Sequence, residues 1–228
     1  MRALLLPVKD LHNAKKRLIG ALSPEERFGL AEAMLADMIR AARGVRCTEK
    51  IFVVTNYEPA MHLAEENRWD ILREDQQISE SHSVDAASRI CEKSGVTGLL
   101  RLPLDLPLIQ STDIDELLTA DCSAPGLIIV PSRDGTGTNA MLRTPPTLFP
   151  SHFGNDSFAK HLAEAERTHA RVLIRRNARL EMDVDDESDL RALLEHDFTA
   201  TETGRWLLAS GVAAKFLPNL QARAMNAR

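Results

Sequence analysis

The chain has 228 residues, a net charge of −5 and three cysteines. That length supports one sizeable core without staples, and Cys47, Cys91 and Cys122 are too scattered for a zinc site or a secreted disulfide framework. The acidic balance excludes a nucleic-acid surface as the reading, and without a signal peptide or about 18 consecutive apolar residues the sequence reads as a soluble, cytoplasmic chain with no membrane partner.

Short apolar runs alternate with longer segments of helical period, the pattern of an α/β fold with a mixed, mostly parallel sheet and helices on both faces. The first run, Ala3 to Val8, predicts a strand, and "PVKDLHNAKKRL" follows it. Lys9, Lys15, Lys16 and Arg17 therefore cluster at a strand's carboxyl end. In an acidic protein they suit an anionic ligand such as a polyphosphate; the alternative is a solvated basic loop. No GxGxxG or GxxxxGK[ST] motif is present.

"LSPEER" opens the clearest helix, with Ser23 as N-cap, Pro24 in the first helical position and Glu26 completing a capping box. Strands follow over Ile51 to Thr55 and Asp70 to Arg73, with helices from Glu58 to Asn67 and from Val84 to Lys93. The run Gly98 to Leu104 predicts a buried strand that ends at Asp105. An ionised carboxylate there needs compensation for its desolvation, and ligands of open α/β sheets bind at strand carboxyl ends. The alternative is a turn cap, although Ser111 or Thr112 already suits the cap of the helix from Asp113 to Thr119.

Leu127 to Pro131 and Ala140 to Arg143 read as strands joined by "RDGTGTNAM", a hairpin turn whose backbone N–H groups and hydroxyls, from Thr136 and Thr138, can form an anion-binding concavity. "HFGNDSFAKH" places Gly154 and Ser157 at the start of a helix from Asp156 to Glu166, where the helix dipole favours an anion. A strand over Val172 to Ile174 follows, and the last predicted strand, Leu180 to Val184, runs into "EMDVDDESDL". Asp183 and Asp185 project to the same face of an extended chain and with Asp105 could hold magnesium; Asp185 or Asp186 could instead cap the final helix, Glu187 to Glu195. The seven histidines form no HExxH pattern and no evident Ser/His/Asp order.

Residues 1–198 thus predict the main domain. Residues 199–228 predict a helical tail, with a short amphipathic helix around Trp206 to Phe216 and a frayed end, that packs on the domain or on a second copy as a possible homodimer.

The ordered set "PVKDLHNAKKRL", "LSPEER", "LPLDLPLI", "DGTGTNAM", "HFGNDSFAKHL" and "MDVDDESDL" resembles the 2-phospho-L-lactate guanylyltransferase family of coenzyme F420 biosynthesis over residues 1 to 195. The resemblance implies a nucleotide-diphospho-sugar transferase-like fold and transfer of GMP from GTP, with magnesium as cofactor, to a small phosphorylated carboxylic acid: 2-phospho-L-lactate, phosphoenolpyruvate or 3-phospho-D-glycerate. Carried over by position, Asp105 and Asp185, or else Asp183, would hold the metal; Thr138, Gly154 and Ser157 would bind the acceptor's carboxylate; Lys9, Lys15 and Arg17 would face the GTP phosphates. The chain departs from the family where "SESHSVDAAS", Ser79 to Ser88, replaces a "GLN" segment. A same-fold cytidylyl- or molybdopterin-type nucleotidyltransferase, or a non-catalytic nucleotide-binding module, is the rival reading.

Overall fold

In the first strand, β1 (Arg2–Pro7), Leu4 and Leu6 pack on one face of a sheet while Ala3 and Leu5 pack on the other. Every second residue entering a different core is what a strand covered on both sides requires. The computed structural model describes residues 1–48 and 50–217. Among these, β2 (Ile51–Thr55), β3 (Asp70–Arg73), β4 (Gly98–Arg101), β5 (Gly126–Pro131), β6 (Thr138–Thr144) and β7 (Arg171–Ile174) complete a seven-stranded sheet in the order β3-β2-β1-β4-β6-β5-β7. All pairings are parallel except those of β6, which runs antiparallel to both β4 and β5. The start of β6 at Thr138 therefore lies on the same sheet edge as the carboxyl ends of β1, β4 and β5.

The helices are α1 (Pro24–Arg43), α2 (Glu58–Glu66), α3 (Glu80–Lys93), α4 (Ser111–Thr119), α5 (Ser157–Arg167), α6 (Ala178–Glu181), α7 (Glu187–Leu193), α8 (Glu202–Ala209) and α9 (Val212–Phe216). The capping box at Ser23 and Glu26 forms as the sequence predicts. Other boundaries differ from those expected. β4 stops at Arg101 because, after the Leu102 N–H donates to the Leu5 carbonyl, Pro103 brings no N–H to the ladder. Helix α3 begins at Glu80, not Val84, since Ser79 caps it by accepting from the His82 N–H. Gln110, not Ser111 or Thr112, is the N-cap residue of α4, and its backbone N–H donates to Asp113 Oδ2.

The predicted strand Leu180 to Val184 is absent. Asn177 accepts from the N–H groups of Arg179 and Leu180 and turns the chain into α6, while Arg179 pairs with buried Asp113. Beyond it, Met182 and Val184 are buried in the core and Asp183 and Asp185 face outward, so the inferred alternation survives without a sheet. The Val184 N–H donates to the Asp105 carbonyl at 3.2 Å, tying this segment to the end of β4.

The tail forms two helices rather than one. Leu207, Val212, Ala213 and Phe216 are buried with Leu18, Leu30, Met34 and Phe198, and Asp37 of α1 accepts from the N–H groups of Glu202 and Thr203. Its apolar face is thus used within the chain; the expected frayed end beyond Leu217 lies outside the described residues. No helix among the described residues is long and apolar enough to cross a membrane.

Candidate active site

Two short 3₁₀ turns, Leu11–Asn13 and Lys16–Leu18, follow β1, and buried Leu11 and Leu18 pin them to the core. Between them Lys15 takes a left-handed conformation, φ 52° and ψ 42°, which a non-glycine residue adopts only when its surroundings enforce it. The consequence is an inward-pointing lysine. Its side chain is 7% exposed, and Nζ donates to Asp105 Oδ2 at 2.8 Å and to Asp185 Oδ1 at 3.1 Å.

These groups stand at the divide of a two-lobed cleft along the carboxyl edge of the sheet. One lobe, of about 330 Å³, is lined by Thr138, Gly154, Ser157, Arg101, Arg17 and Asp183; the other, of about 430 Å³, by Lys9, Lys15, Lys16, Gln77, Leu11 and Met34. Both volumes lie at the lower end for small-molecule sites. Asp105, Asp185, Glu80 and Pro103 belong to both lobes.

Burial works against the charged forms at the divide, yet the net effect differs from residue to residue. Burial alone would raise the Asp105 carboxyl, but the Lys15 charge and hydrogen bond, helped by Arg101, hold it below the ordinary carboxylate value. Burial would likewise lower the Lys15 ammonium, and the charges of Asp105 and Asp185 more than reverse this, so its pKa is raised. Asp185 is raised, first by burial and then by Asp105, against the pull of Lys15. Asp183 is pushed up to about 6 by burial and the Asp105 charge, although Asn139 Nδ2 donates to its Oδ1 at 3.1 Å.

Two carboxylates, Asp105 and Asp185, thus share one buried ammonium, with Asp183 beside them on Asn139 and the Arg17 guanidinium 3.8 Å from Asp185. An excess of negative charge on oxygen-only donors fits a hard divalent cation, and magnesium takes one or two carboxylates with water and phosphate oxygens completing its shell. The set is not a closed cage: among the described residues no three His, Cys, Asp or Glu side chains form a group able to hold an ion by themselves. Asp186 is the N-cap of α7, accepting from the Ser188 and Asp189 N–H groups, and this leaves Asp185 to the cleft.

The site residues named from the sequence divide between the lobes. Thr138, Gly154 and Ser157 meet in one, with the Ser157 hydroxyl 3.2 Å from that of Thr138. Gly154 has φ +114°, a conformation that other residues rarely adopt, so the chain turns there before α5. Lys9 and Lys15 lie in the other lobe, and Arg17 lines the first lobe instead. The hairpin turn is not the open anion cradle the sequence suggested. Asp134 accepts from the Thr136 N–H and hydroxyl, and the Gly137 N–H donates to Ser132 Oγ, so an internal carboxylate fills that position.

Four contributors escaped the reading of the sequence. Arg101 is buried, donates from Nη1 to the Thr138 carbonyl at 3.1 Å and from Nη2 to Glu80, and lies 4.1 Å from the centroid of Phe153. A buried arginine interrupting an apolar strand was the available signal, as Asp105 was. Asn139 lies within "RDGTGTNAM" and Glu80 within "SESHSVDAAS", and neither is marked out inside its segment by spacing or context. His161 follows Ser157 by one helical turn, which puts both on the same face of α5.

A phosphoenolpyruvate guanylyltransferase from Conexibacter woesei is 34% identical over 192 residues, covering 84% of this chain and 86% of that protein. A 2-phospho-L-lactate guanylyltransferase from Methanobrevibacter smithii is 28% identical over 203 residues, covering 89% and 88%. A crystal structure from Desulfovibrio desulfuricans assigned to the nucleotide-diphospho-sugar transferases superposes with a TM-score of 0.76 at 15% identity, covering 94% of this chain and 97% of that one, and shows the shared fold. The guanylyl transferase CofC-like family matches residues 1–223, and the chain belongs to that family of nucleotidyltransferases.

Proposed function

We propose that this protein transfers the guanylyl group of GTP to the phosphate of a small phosphorylated carboxylic acid, releasing pyrophosphate, as a cytoplasmic step of coenzyme F420 biosynthesis. The observation that carries the reading is the Lys15 ammonium bridging Asp105 and Asp185 where two lobes of one cleft meet. One lobe takes the nucleotide and the other the acceptor, so the reacting phosphates meet at that divide.

An acceptor phosphate is already anionic near neutral pH. Its oxygen attacks the α-phosphorus of GTP, a new P–O bond forms there, the bond to the β-phosphate oxygen breaks, and pyrophosphate leaves with the electron pair. No general base is required. The task is to bring mutually repelling anions together and to hold charge on the leaving group. Lys15, kept protonated by its two carboxylates, serves the first need. Lys9 and Lys15 meet the GTP phosphates in one lobe, and Arg17 adds charge from across the divide. Asp105 and Asp185, with Asp183 beside them, would hold magnesium, whose chemistry when bound is to neutralise charge on phosphate oxygens.

In the other lobe Thr138, Ser157 and the turn at Gly154 receive the acceptor's carboxylate, with the Arg101 guanidinium adding positive charge behind them. The acceptor class is a three-carbon phosphorylated acid: 2-phospho-L-lactate, phosphoenolpyruvate or 3-phospho-D-glycerate. Pyrophosphate release from GTP and magnesium, measured with each acid separately and repeated with CTP, tests the reading. One acid should support release with GTP and not with CTP. Release independent of any of these acids, or a preference for CTP, overturns it.

A further inference from the structure

His161 is fully buried on α5, yet it is wired into the acceptor lobe. Its Nε2 accepts the backbone N–H of His152 at 2.9 Å, and its Nδ1 lies 3.0 Å from Thr138 Oγ1. A backbone amide can only donate, so Nε2 is the unprotonated nitrogen and a neutral ring carries its hydrogen on Nδ1. Neutrality is secured by burial first, then by the positive charges of Arg143 and Arg101 and by His152, against an opposing pull from Glu164; together they bring the imidazole down to about 3. The ring is also boxed in by Phe149 and Phe153, with centroids at 6.1 and 5.1 Å.

The tautomer fixes what Thr138 can do. A threonine hydroxyl has one hydrogen and two acceptor lone pairs. His161 Nδ1–H occupies one lone pair and the Ser157 hydroxyl, at 3.2 Å, occupies the other. The Thr138 hydrogen is left to donate, and Thr138 lines the acceptor lobe. A partner there must offer an oxygen that accepts, as a carboxylate does, and not an N–H or ammonium.

We infer that His161 is a positioning residue: by donating from Nδ1 to Thr138 it turns the Thr138 hydroxyl into an obligate donor that selects and orients the carboxylate of the acceptor. The inference rests on the proposed guanylyl transfer and adds to it a residue that never touches substrate. Its interest is that an imidazole often assumed to move protons here works by not titrating.

Steady-state kinetics with the preferred acceptor test it. His161→Phe keeps the ring's bulk and removes both nitrogens; loss of one hydrogen bond to a charged group predicts a rise in acceptor KM of roughly 10- to 100-fold, with GTP KM unchanged. His161→Asn, which restores a short N–H donor towards Thr138, should recover much of that loss. Thr138→Val combined with His161→Phe should add nothing further. Equal rises in acceptor and GTP KM, no benefit of asparagine over phenylalanine, or additive losses would overturn the inference. Should His161→Phe fail to fold, the ¹⁵N spectrum of histidine-labelled wild-type protein decides: hydrogen on Nδ1 of His161 is required, and hydrogen on Nε2 overturns it. Absence of acceptor-dependent turnover in the wild type would instead count against the guanylyl-transfer reading itself.

Discussion

Replacing Lys15 with methionine keeps most of the side-chain volume and removes the charge on which the divide of the cleft depends. Two carboxylate contacts at 2.8 and 3.1 Å are lost together. At an effective dielectric of about 20, each is worth roughly 5 to 6 kcal/mol before desolvation is counted. Burying the ammonium offsets much of that, and Asp105 and Asp185, 25% and 41% exposed, are partly screened by water. A net destabilisation of about 1–3 kcal/mol follows, or roughly 2–10 °C in Tm for a chain of this size.

The pH dependence makes the test specific. In the native protein the depressed Asp105 carboxyl contributes stability that is present above its unfolded pKa and is lost as pH falls. Without Lys15, the folded-state Asp105 carboxyl rises above its unfolded value and that of Asp185, already raised, rises further, so the variant loses stability as pH rises through the range just above pH ~4. Denaturant unfolding from pH 4 to 8 should therefore show the gap between wild type and Lys15→Met widening with pH. In activity the variant should lose on the order of 100-fold or more in kcat/KM, the scale of a preorganised charge at a transferring phosphoryl group. A constant gap across pH, or a variant of native stability, would refute the assignment of Lys15 as the counter-ion of this pair.

Two other outcomes follow from parts of the molecule away from the divide. A Cβ at Gly29 would stand 2.7 Å from Nε1 and 2.8 Å from Cε2 of Trp206, so Gly29→Ala should drive α8 from α1 and cost about 1–3 kcal/mol by overpacking; unchanged denaturant unfolding would show that the α1–α8 contact yields freely. His161, held at about 3 in the fold against 6.5 for the free side chain, binds its proton in the unfolded chain first. Stability should fall by up to roughly 1.4 kcal/mol per pH unit as pH drops below 6.5 towards 3, and His161→Asn should flatten that slope.

Much of this arrangement is legible from the chain because the physics is local. Leu4, Leu5 and Leu6 announce a strand buried on both faces, and Ser23 to Glu26 spell out a cap that needs no tertiary partner. Asp105 stands out because an acidic group in an apolar run calls for a compensating charge, and Asp183 and Asp185 because two carboxylates two residues apart share a face of an extended chain. That the compensation comes from Lys15 depends on a left-handed turn, which composition alone does not signal. The Leu180 to Val184 segment misleads for a related reason. Its apolar alternation is real, but Leu180 enters the main core, Met182 and Val184 enter the tail-side core, and the backbone bonds to Asn139 and to the Asp105 carbonyl rather than to a neighbouring strand. Thr136 does not open an anion cradle, because Asp134, two residues away, already fills the concavity. The part His161 plays is not legible from "HFGNDSFAKH", because it lies in which ring nitrogen accepts a hydrogen bond, a matter of packing and not of motif.

Movement of label from [α-³²P]GTP into a three-carbon phosphorylated acid, followed in wild type and in Asp105→Asn, tests whether the pair bridged by Lys15 supports guanylyl transfer. The wild type should form acceptor-dependent labelled product, and Asp105→Asn should lose roughly 100-fold or more of it with the fold intact. Near-native transfer by Asp105→Asn, or label appearing as free GMP irrespective of acceptor, would contradict that role of the pair.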